Sequence, residues 1–521
     1  MNRYYNEYLN KNIINDMDLM DSIFNKIDNT ITEYGKLKLK QKLKLISTDN
    51  LPFLINLNYQ IFKDEEYKII VKDFLININK LIPDVKIYYD YKYKDEFFFK
   101  TSFLNFSWLL NISNKLKFSN AFIPILIYFI IYVYFKYKNI PISIKGYLQN
   151  IYNSYIFMSK MILNLFIKNK NYIHYGSLIV CYGYISYQIY NFYITFYNSL
   201  GHYKECNKVS NEFNNIVLFI KKIKKMSKYD NYISTPEISK ICDELLLDFK
   251  QNSNIGYHLS MKLYCDNYKN KFTKICNYIG NLDARLCICD LLNYGYSLPL
   301  ININSKTPFI ICENLWHPII EEKSVKNNIC IKKNNIVIIT GPNQSGKSTF
   351  MRTLMINIIL AQSLGIACCD NIYFTPFKKL YTYLNIPDNI GRESLFEAET
   401  NRCIDYIKKV EDNYLVFGII DELFTGTDPA SGISCTKSVI NSLSNYKNSI
   451  TILSTHFKQV CVLNNTDYYN FMAIKKNNKY IFPYKLYKGI SNQNIAIEIL
   501  KEKGYNQNII NNALIYLKEF I

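Results

Sequence analysis

Glycine and proline are sparse until Pro299, so the first 300 residues carry few of the signals that mark tight turns and short strands. The 14 cysteines form no disulfide framework. They are scattered, with Cys287 and Cys289 one residue apart and Cys368 and Cys369 adjacent, spacings that do not make a zinc site. Free thiols in a reducing compartment are the simpler account. The first residues, MNRYYNEYLNKNIINDMD, are polar and carry acids. That argues against a signal or transit peptide and for an intracellular, unsecreted protein. A run of the about 20 apolar residues that a spanning helix needs is also missing. The nearest is Ala121 to Phe135 (AFIPILIYFIIYVYF), 15 residues with Pro124 inside and Lys117 and Lys136 flanking. A second, Tyr-rich stretch from Leu178 to Tyr197 is interrupted by Gln188 and Asn191. Buried core helices are expected for both, with membrane contact through residues 121–135 as the alternative. No cluster of His and acids of the nuclease kind stands out.

Apolar residues and positive charge are abundant. A length of 521 residues is too great for one ordinary domain, and an apolar fraction of 49% is ample for a packed core. Lys and Arg outnumber Asp and Glu by 62 to 43, a net charge of +19. Such an excess favours polyanions, nucleic acid first and an anionic membrane surface second. Abundant Asn, Ile, Lys and Tyr (47 Tyr) also fit a base-composition bias in the gene, which weakens the inference from charge alone. Residues 1–300 read as mostly helical, with apolar residues recurring three and four apart in Ile31 to Leu45, Tyr147 to Phe166 and Ile238 to Tyr268. Beyond Pro299 the texture changes to short apolar strands, Gly-rich turns and helices, as in an α/β domain. The boundary is placed between Pro299 and Pro308, dividing a helical region, 1–300, from an α/β domain, 301–521.

The strongest local signal is Gly341-Pro342-Asn343-Gln344-Ser345-Gly346-Lys347-Ser348-Thr349, which satisfies the P-loop pattern. Asn334 to Thr340 (NNIVIIT) reads as the buried strand leading in, and Ser348 to Leu364 as the apolar helix leading out. Backbone amides at such a helix start close around phosphates, where the dipole favours negative charge. Lys347 would reach the β- and γ-phosphates of ATP, and the Ser348 hydroxyl would ligate Mg²⁺. A buried strand ending in acid completes such a site, and Tyr414 to Ile420 (YLVFGII) followed by Asp421-Glu422 supplies it. Asp421 would hold the Mg²⁺ shell, and Glu422 would polarise the attacking water. A third strand, Ser449 to Thr455, ends in His456, placed to sense the γ-phosphate. Two adjacent acids, or a His at a strand end, are commonly surface residues; their company here reverses that reading.

These residues resemble one family, the MutS proteins. TGPNQSGKSTFMRTLMINIILAQSLGIACC is similar to the family's P-loop and following helix, and His317-Pro318 resembles its His-Pro entry. Asp421-Glu422-Leu423-Phe424-Thr425-Gly426-Thr427 is similar to its D-E-x-x-x-G-T block, and Ser454-Thr455-His456 to its x-T-H switch. Tyr484-Lys-Leu-Tyr-Lys-Gly489, Ser491 and Ile495-Ala496 resemble its closing strand and helix. The likeness is specific from about residue 311 to 500. Upstream, Gly35-Lys-Leu-Lys-Leu39 and Leu282-Asp283-Ala284 look like the two ends of the family's helical core and lever. Gly391-Arg392-Glu393-Ser394-Leu395-Phe396-Glu397-Ala398-Glu399 resembles the family's signature loop, G-R-S-T-F-x-x-E, with Glu393 as an extra residue. Ser431 stands before Gly432 where repair MutS proteins usually have Asp. No Phe-x-Glu, the wedge with which repair MutS proteins probe mismatches, occurs in the sequence.

The resemblance implies a helical core and lever region followed by a C-terminal P-loop ATPase domain of the ABC type, with ATP and Mg²⁺ as cofactors. It implies that Ser394 contacts ATP held by an opposite subunit, hence a dimer, helped by C-terminal helices near Asn492 to Gly504 and Asn506 to Phe520. A short branch lacking the mismatch-recognition domain, of the sort found in large DNA viruses and some bacteria, fits the missing wedge. The expected function is an ATP-gated clamp on DNA in repair, recombination or branched-DNA processing, in cytoplasm, nucleus or viral factory. The alternative is a membrane-associated ATPase or scaffold built on the same engine, with residues 121–135 as its anchor.

Overall fold

A computed structural model describes residues 7–83, 123–138, 140–164, 170–250, 257–258, 261, 265–320, 323–384, 394–461, 463, 465–476, 479–491, 493 and 495–519. Gly391, Arg392 and Glu393 of the signature loop lie outside them. Helices α1 (Lys11–Asp16), α2 (Glu33–Leu43), α3 (Leu51–Lys63) and α4 (Glu65–Asn79) open the chain. Next come α5 (Ile123–Tyr137), α6 (Ile144–Asn164), the 60-residue α7 (Lys170–Tyr229), α8 (Pro236–Asp248) and α9 (Lys269–Asn293). The helix expected from Ile238 to Tyr268 therefore stops at Asp248, where the Phe249 amide caps the last turn on the Leu245 carbonyl at 2.7 Å. The α/β part contains β1 (Leu300–Ile301), β2 (Ile310–Leu315), β3 (Asn327–Ile331), β4 (Ile336–Thr340), α10 (Lys347–Leu364), β5 (Asn371–Phe374) and β6 (Lys379–Tyr383). It continues with α11 (Leu395–Glu411), β7 (Val416–Asp421), α12 (Pro429–Ser444), β8 (Ser449–Thr455), β9 (Thr466–Phe471), β10 (Ile474–Lys476), β11 (Lys479–Ile481), β12 (Leu486–Lys488), α13 (Ala496–Glu502) and α14 (Gln507–Glu519).

Two compact units result. One comprises residues 1–76, 231–233 and 276–521; the other comprises 77–230 and 234–275. This division differs from a single change near residue 300, because α1 to α3 and the end of α9 pack with the α/β part. Contacts that far apart in sequence leave no mark on local composition.

In the first unit, a six-stranded sheet runs in the order β12-β9-β4-β8-β7-β6, and a four-stranded sheet in the order β1-β5-β2-β3. Strands β9, β4, β8, β7 and β6 pair in parallel, and such strands are buried on both faces. Alternate residues of β4 show it. Val337 and Ile339 join one core cluster with Met351 and Leu354 of α10, while Ile336 and Ile338 join another with Tyr406 and Leu443. Helix α10 is buried along nearly its whole length, so its sequence is apolar all round rather than on one stripe. It ends at Gly365, φ 72°, and the Asn58 side chain donates to the Leu364 carbonyl at 2.8 Å. Leu9, Ile13, Leu39 and Leu43 of the N-terminal segment are among the buried residues of the same cluster as α10.

The two upstream sequences singled out above meet. The Asp283 carboxylate accepts from the amides of Ile31 (3.0 Å) and Thr32 (2.7 Å) and from the Thr32 hydroxyl (2.6 Å). Thr32 in turn caps α2 by accepting from the Gly35 amide at 3.0 Å. Burial pushes the Asp283 carboxyl up, and these donors oppose the push. Gly35 and Gly280 let α2 and α9 touch: a Cβ at Gly35 would fall 2.0 Å from Asp283 Oδ2, and one at Gly280 would fall 2.6 Å from the Tyr34 carbonyl oxygen.

In the second unit, α6 and α8 pack along α7. Lys224 pairs with Asp243, Lys274 with Glu237, and Lys271 with Glu244 at 3.0 Å. The buried core helix expected near residues 121–135 is not what forms. Over its described side chains α5 is largely exposed, with Phe129 at 61% and Leu126 at 55%. Among the described residues no helix is long and apolar enough to cross a membrane.

Replacing Gly35 by Ala should destabilise the first unit by about 1–3 kcal/mol through overpacking against Asp283. Gly201→Ala in α7, where nothing lies within 4 Å of the added carbon, should be neutral or slightly stabilising. Thermal unfolding of the two variants checks this; equal midpoints would mean that the α2–α9 crossing yields without cost.

Candidate functional site

Parallel register sets three strand ends level. Thr340 of β4 pairs with Thr455 of β8, and Ser454 of β8 pairs with Asp421 of β7. Ligands of open α/β sheets bind beyond such carboxyl ends. Here the chain leaves β4 through Gly341 (φ 149°), Gln344 (φ 64°) and Gly346 (φ 103°) before entering α10 at Lys347. A Cβ at Gly341 would fall 2.6 Å from the Phe471 carbonyl oxygen, so only glycine fits that backbone. The Lys347 ammonium turns back onto this loop, donating to the carbonyls of Gly341 at 2.9 Å and Pro342 at 3.3 Å. Burial pushes the Lys347 amine below its ordinary value, against the opposing pull of Glu422 and Asp421.

A cavity of about 680 Å³ opens over the loop, a volume typical of small-ligand sites. Asn343, Gln344, Ser345, Gly346, Lys347, Ser348 and Thr349 line it from one side, and Asp421 and Glu422 face it from the end of β7. Phosphate-sized anions suit the first group: amides at a helix start, a lysine, and the Ser345 hydroxyl, which is buried without a hydrogen-bond partner. A hard cation suits the place where Asp421 faces Ser348 across the cavity, since both offer only oxygen. One oxygen of Asp421 also accepts from the Ser454 hydroxyl.

Glu422 adopts the left-handed region at φ 54°, and Phe424 does the same at φ 58°. Each costs about 1–2 kcal/mol for a residue with a side chain, so the turn persists only because its surroundings hold it. The Glu422 amide donates to the Ser454 carbonyl at 3.2 Å, the Thr436 hydroxyl to the Leu423 carbonyl at 3.2 Å, and Thr425 and Gly426 bind Glu399. His456 Nδ1 lies 3.4 Å from Glu422 Oε1. That hydrogen bond, aided by the charges of His456 and Lys347, holds the Glu422 carboxyl below the usual carboxylate range despite burial. A carboxylate kept ionised beside an imidazole can accept a proton from water.

Ser394 sits apart from this cavity. It caps α11, accepting from the Glu397 amide at 3.2 Å. Two residues lining the cavity were read only as parts of family blocks. Tyr484, 48% exposed and at φ 55°, lays its ring against Gly346, whose Cβ would meet Tyr484 Cδ1 at 3.1 Å. Its carbonyl is held by the Asn327 side chain at 3.0 Å. His317 accepts from the Ile319 amide through Nδ1 at 3.3 Å, and burial, with the Arg352 charge, lowers its pKa. An aromatic residue just before the closing strand was the one sequence signal for Tyr484; Glu399 gave none beyond its place in the signature loop.

A family described as MutS domain V matches residues 337–520. The mitochondrial DNA mismatch repair protein mutS homolog of Sarcophyton glaucum is 28% identical over 337 residues, which cover 61% of this chain and 33% of that protein. The DNA mismatch repair protein MutS of Clostridium botulinum (strain Okra / Type B1) is 28% identical over 308 residues, 55% of this chain and 32% of that protein. The DNA mismatch repair protein MSH3 of Debaryomyces hansenii is 30% identical over 271 residues, 48% and 26%. The chain thus aligns with about a third or less of the length of these relatives.

The Glu422 pKa gives a signed expectation. Its folded-state value lies below the unfolded one, so ionisation favours folding. The contribution is complete above the ordinary value of about 4.3 and is lost as pH falls through the folded value. The margin of thermal midpoint by which the parent exceeds Glu422→Gln should therefore shrink on going from about pH 6 to about pH 3.5. A margin independent of pH would contradict a carboxylate held in its ionised form.

Proposed function

Because the chain belongs to the MutS family, we propose that it is an ATP-hydrolysing, DNA-binding clamp working as a dimer. The observation that carries the reading is the single cavity shared by the P-loop, Ser348, Asp421 and Glu422. In this reading residues 301–521 are the ABC-type P-loop ATPase domain, and residues 1–300 supply the core and lever. Backbone amides of residues 341–349 hold the phosphates of ATP, and Lys347 swings from its own loop carbonyls to the β- and γ-oxygens. Ser348 and Asp421 would hold Mg²⁺, which would supply neutralising charge at the phosphates. Glu422 takes the proton of the attacking water, and His456 keeps that carboxylate ionised and reports the state of the γ-phosphate. Tyr484 and His317 flank the remainder of the nucleotide.

Ser394, outside its own subunit's cavity, contacts ATP held by the opposite subunit, and α13 and α14 help the pairing. Exposed Ile509 and Ile515 on α14 suit that role. DNA is the polyanion that the +19 charge favours. Since the sequence has no Phe-x-Glu, recognition of branches or of duplex in general is favoured over mismatch probing. Three lysines of the second unit are paired with acids of α8, so they add nothing to the charge available to phosphates. The exposed apolar residues of α5 favour a second reading, a membrane-associated ATPase or scaffold with no specific DNA substrate.

Two experiments test these readings. Lys347→Ala and Ser394→Ala subunits, each inactive alone, should recover activity when mixed, since one mixed site is intact; no recovery would remove the composite site. Binding to homoduplex, single-mismatch duplex and four-way-junction DNA should be altered by ATP and prefer one structure. Equal, weak binding that vanishes at moderate salt, with the protein sedimenting with membranes after detergent-free lysis, would favour the second reading.

A further inference from the structure

Glu399 is a carboxylate with an unusual setting. It lies in the second turn of α11 and is 2% exposed. Oε1 accepts from the Thr425 amide at 3.1 Å and the Thr425 hydroxyl at 2.9 Å, and Oε2 accepts from the Gly426 amide at 3.1 Å. A buried carboxylate is tolerated only when its oxygens are satisfied, and here the donors come from one short segment, three and four residues past Glu422. That segment follows a turn with two left-handed residues, Glu422 and Phe424, which relaxes unless tied down.

The same helix touches the turn again at its start. A Cβ at Gly426 would fall 2.8 Å from the Phe396 amide nitrogen, and the rings of Phe396 and Phe424 lie 5.7 Å apart, centre to centre. Residue 394, the cap of α11, immediately precedes that first turn. Further along, Arg402 binds the Asp16 carboxylate at 2.6 Å and the Thr382 carbonyl at 3.0 Å, which fixes the helix on β6. Helix α11 is therefore anchored at its middle, and its first two turns grip the segment behind Glu422.

We propose that Glu399 is a positioning residue for hydrolysis: its carboxylate fixes the turn that aims Glu422, and so links the residue-394 end of α11 to the cavity. The proposal rests on the ATPase reading. Glu399 is not among the residues that line the cavity; its effect passes through Glu422. Losing it lets the 422–426 turn relax and moves the Glu422 carboxylate, while the loop at 341–349 that binds phosphate stays as it is. A displacement of about 1 Å at a reacting group costs on the order of a hundredfold in rate.

The test is steady-state and single-turnover ATP hydrolysis by the full chain carrying Glu399→Gln, beside the parent and Lys347→Ala, with thermal midpoints measured in parallel. The amide keeps the shape but turns an NH₂ towards donors. The expected result is a fall in kcat of roughly ten- to a hundredfold, with KM for ATP changed less than about threefold. In a Glu422→Gln background the same substitution should change the single-turnover rate by less than about twofold, because groups acting as a unit are not additive. An unchanged kcat in Glu399→Gln overturns the proposal, and so does a full further loss in the Glu422→Gln background. A loss of kcat and KM together with a collapsed midpoint also overturns it, in favour of a merely structural role. Should Glu399→Gln fail to fold, Thr425→Val removes one donor from the same carboxylate and should lower kcat severalfold at constant KM; no change there rejects the proposal. A parent no faster than Lys347→Ala is a different failure, that of the ATPase reading itself.

Discussion

Strand Ser449–Thr455 lies between Ile336–Thr340 and Val416–Asp421 in a single parallel register, with Thr340 opposite Thr455 and Asp421 opposite Ser454. Everything chemical in the molecule hangs on that register. It delivers a phosphate-shaped loop, a pair of acids and a histidine to one edge of one sheet from three stretches of sequence more than a hundred residues apart in total. A slip by one residue would turn Asp421 from the edge into the core and exchange the two buried faces of each strand. Packing opposes it, since alternate residues already fill two separate cores.

Around that edge the energetics are those of strain held by polar contacts. Glu422 and Phe424 take left-handed conformations in the turn after Val416–Asp421, and that turn is tied by Ser454, Thr436 and Glu399. Charge follows the same plan. Lys347 is desolvated and bound to its own loop, and Glu422 is kept ionised by His456. Dipoles and charges held in place by such contacts stabilise developing charge at little cost of reorganisation.

The sequence was most legible where local pattern and chemistry coincide. NNIVIIT, the glycines of the P-loop and the apolar helix after it reappear as β4, the left-handed loop and α10, because strand period, turn chemistry and helix pattern all act within a few residues. YLVFGII with its two acids, and SITILST, behave likewise. What could not be read was long-range. Nothing local says that Asp283 holds Thr32, the cap of α2, or that Asn58 satisfies the end of α10. The grip of Glu399 on Thr425 spans a loop and a strand. Nor does hydropathy separate a buried helix from an exposed one: the apolar run that became α5 exposes Phe129 and Ile130. Cysteines were legible in kind. Those described are free thiols, and burial pushes the Cys287 thiol up to about 12, so it is a core residue and not a nucleophile.

The central proposal is that this cavity hydrolyses ATP with Glu422 as base. The most direct measurement is phosphate release from ATP and Mg²⁺ by the parent and by Glu422→Gln, with bound nucleotide quantified in the same samples. The account predicts steady release by the parent. In Glu422→Gln it predicts retained ATP and release slower by about a hundredfold or more. Equal rates from the two proteins, or no release by the parent while ATP is bound, would contradict it.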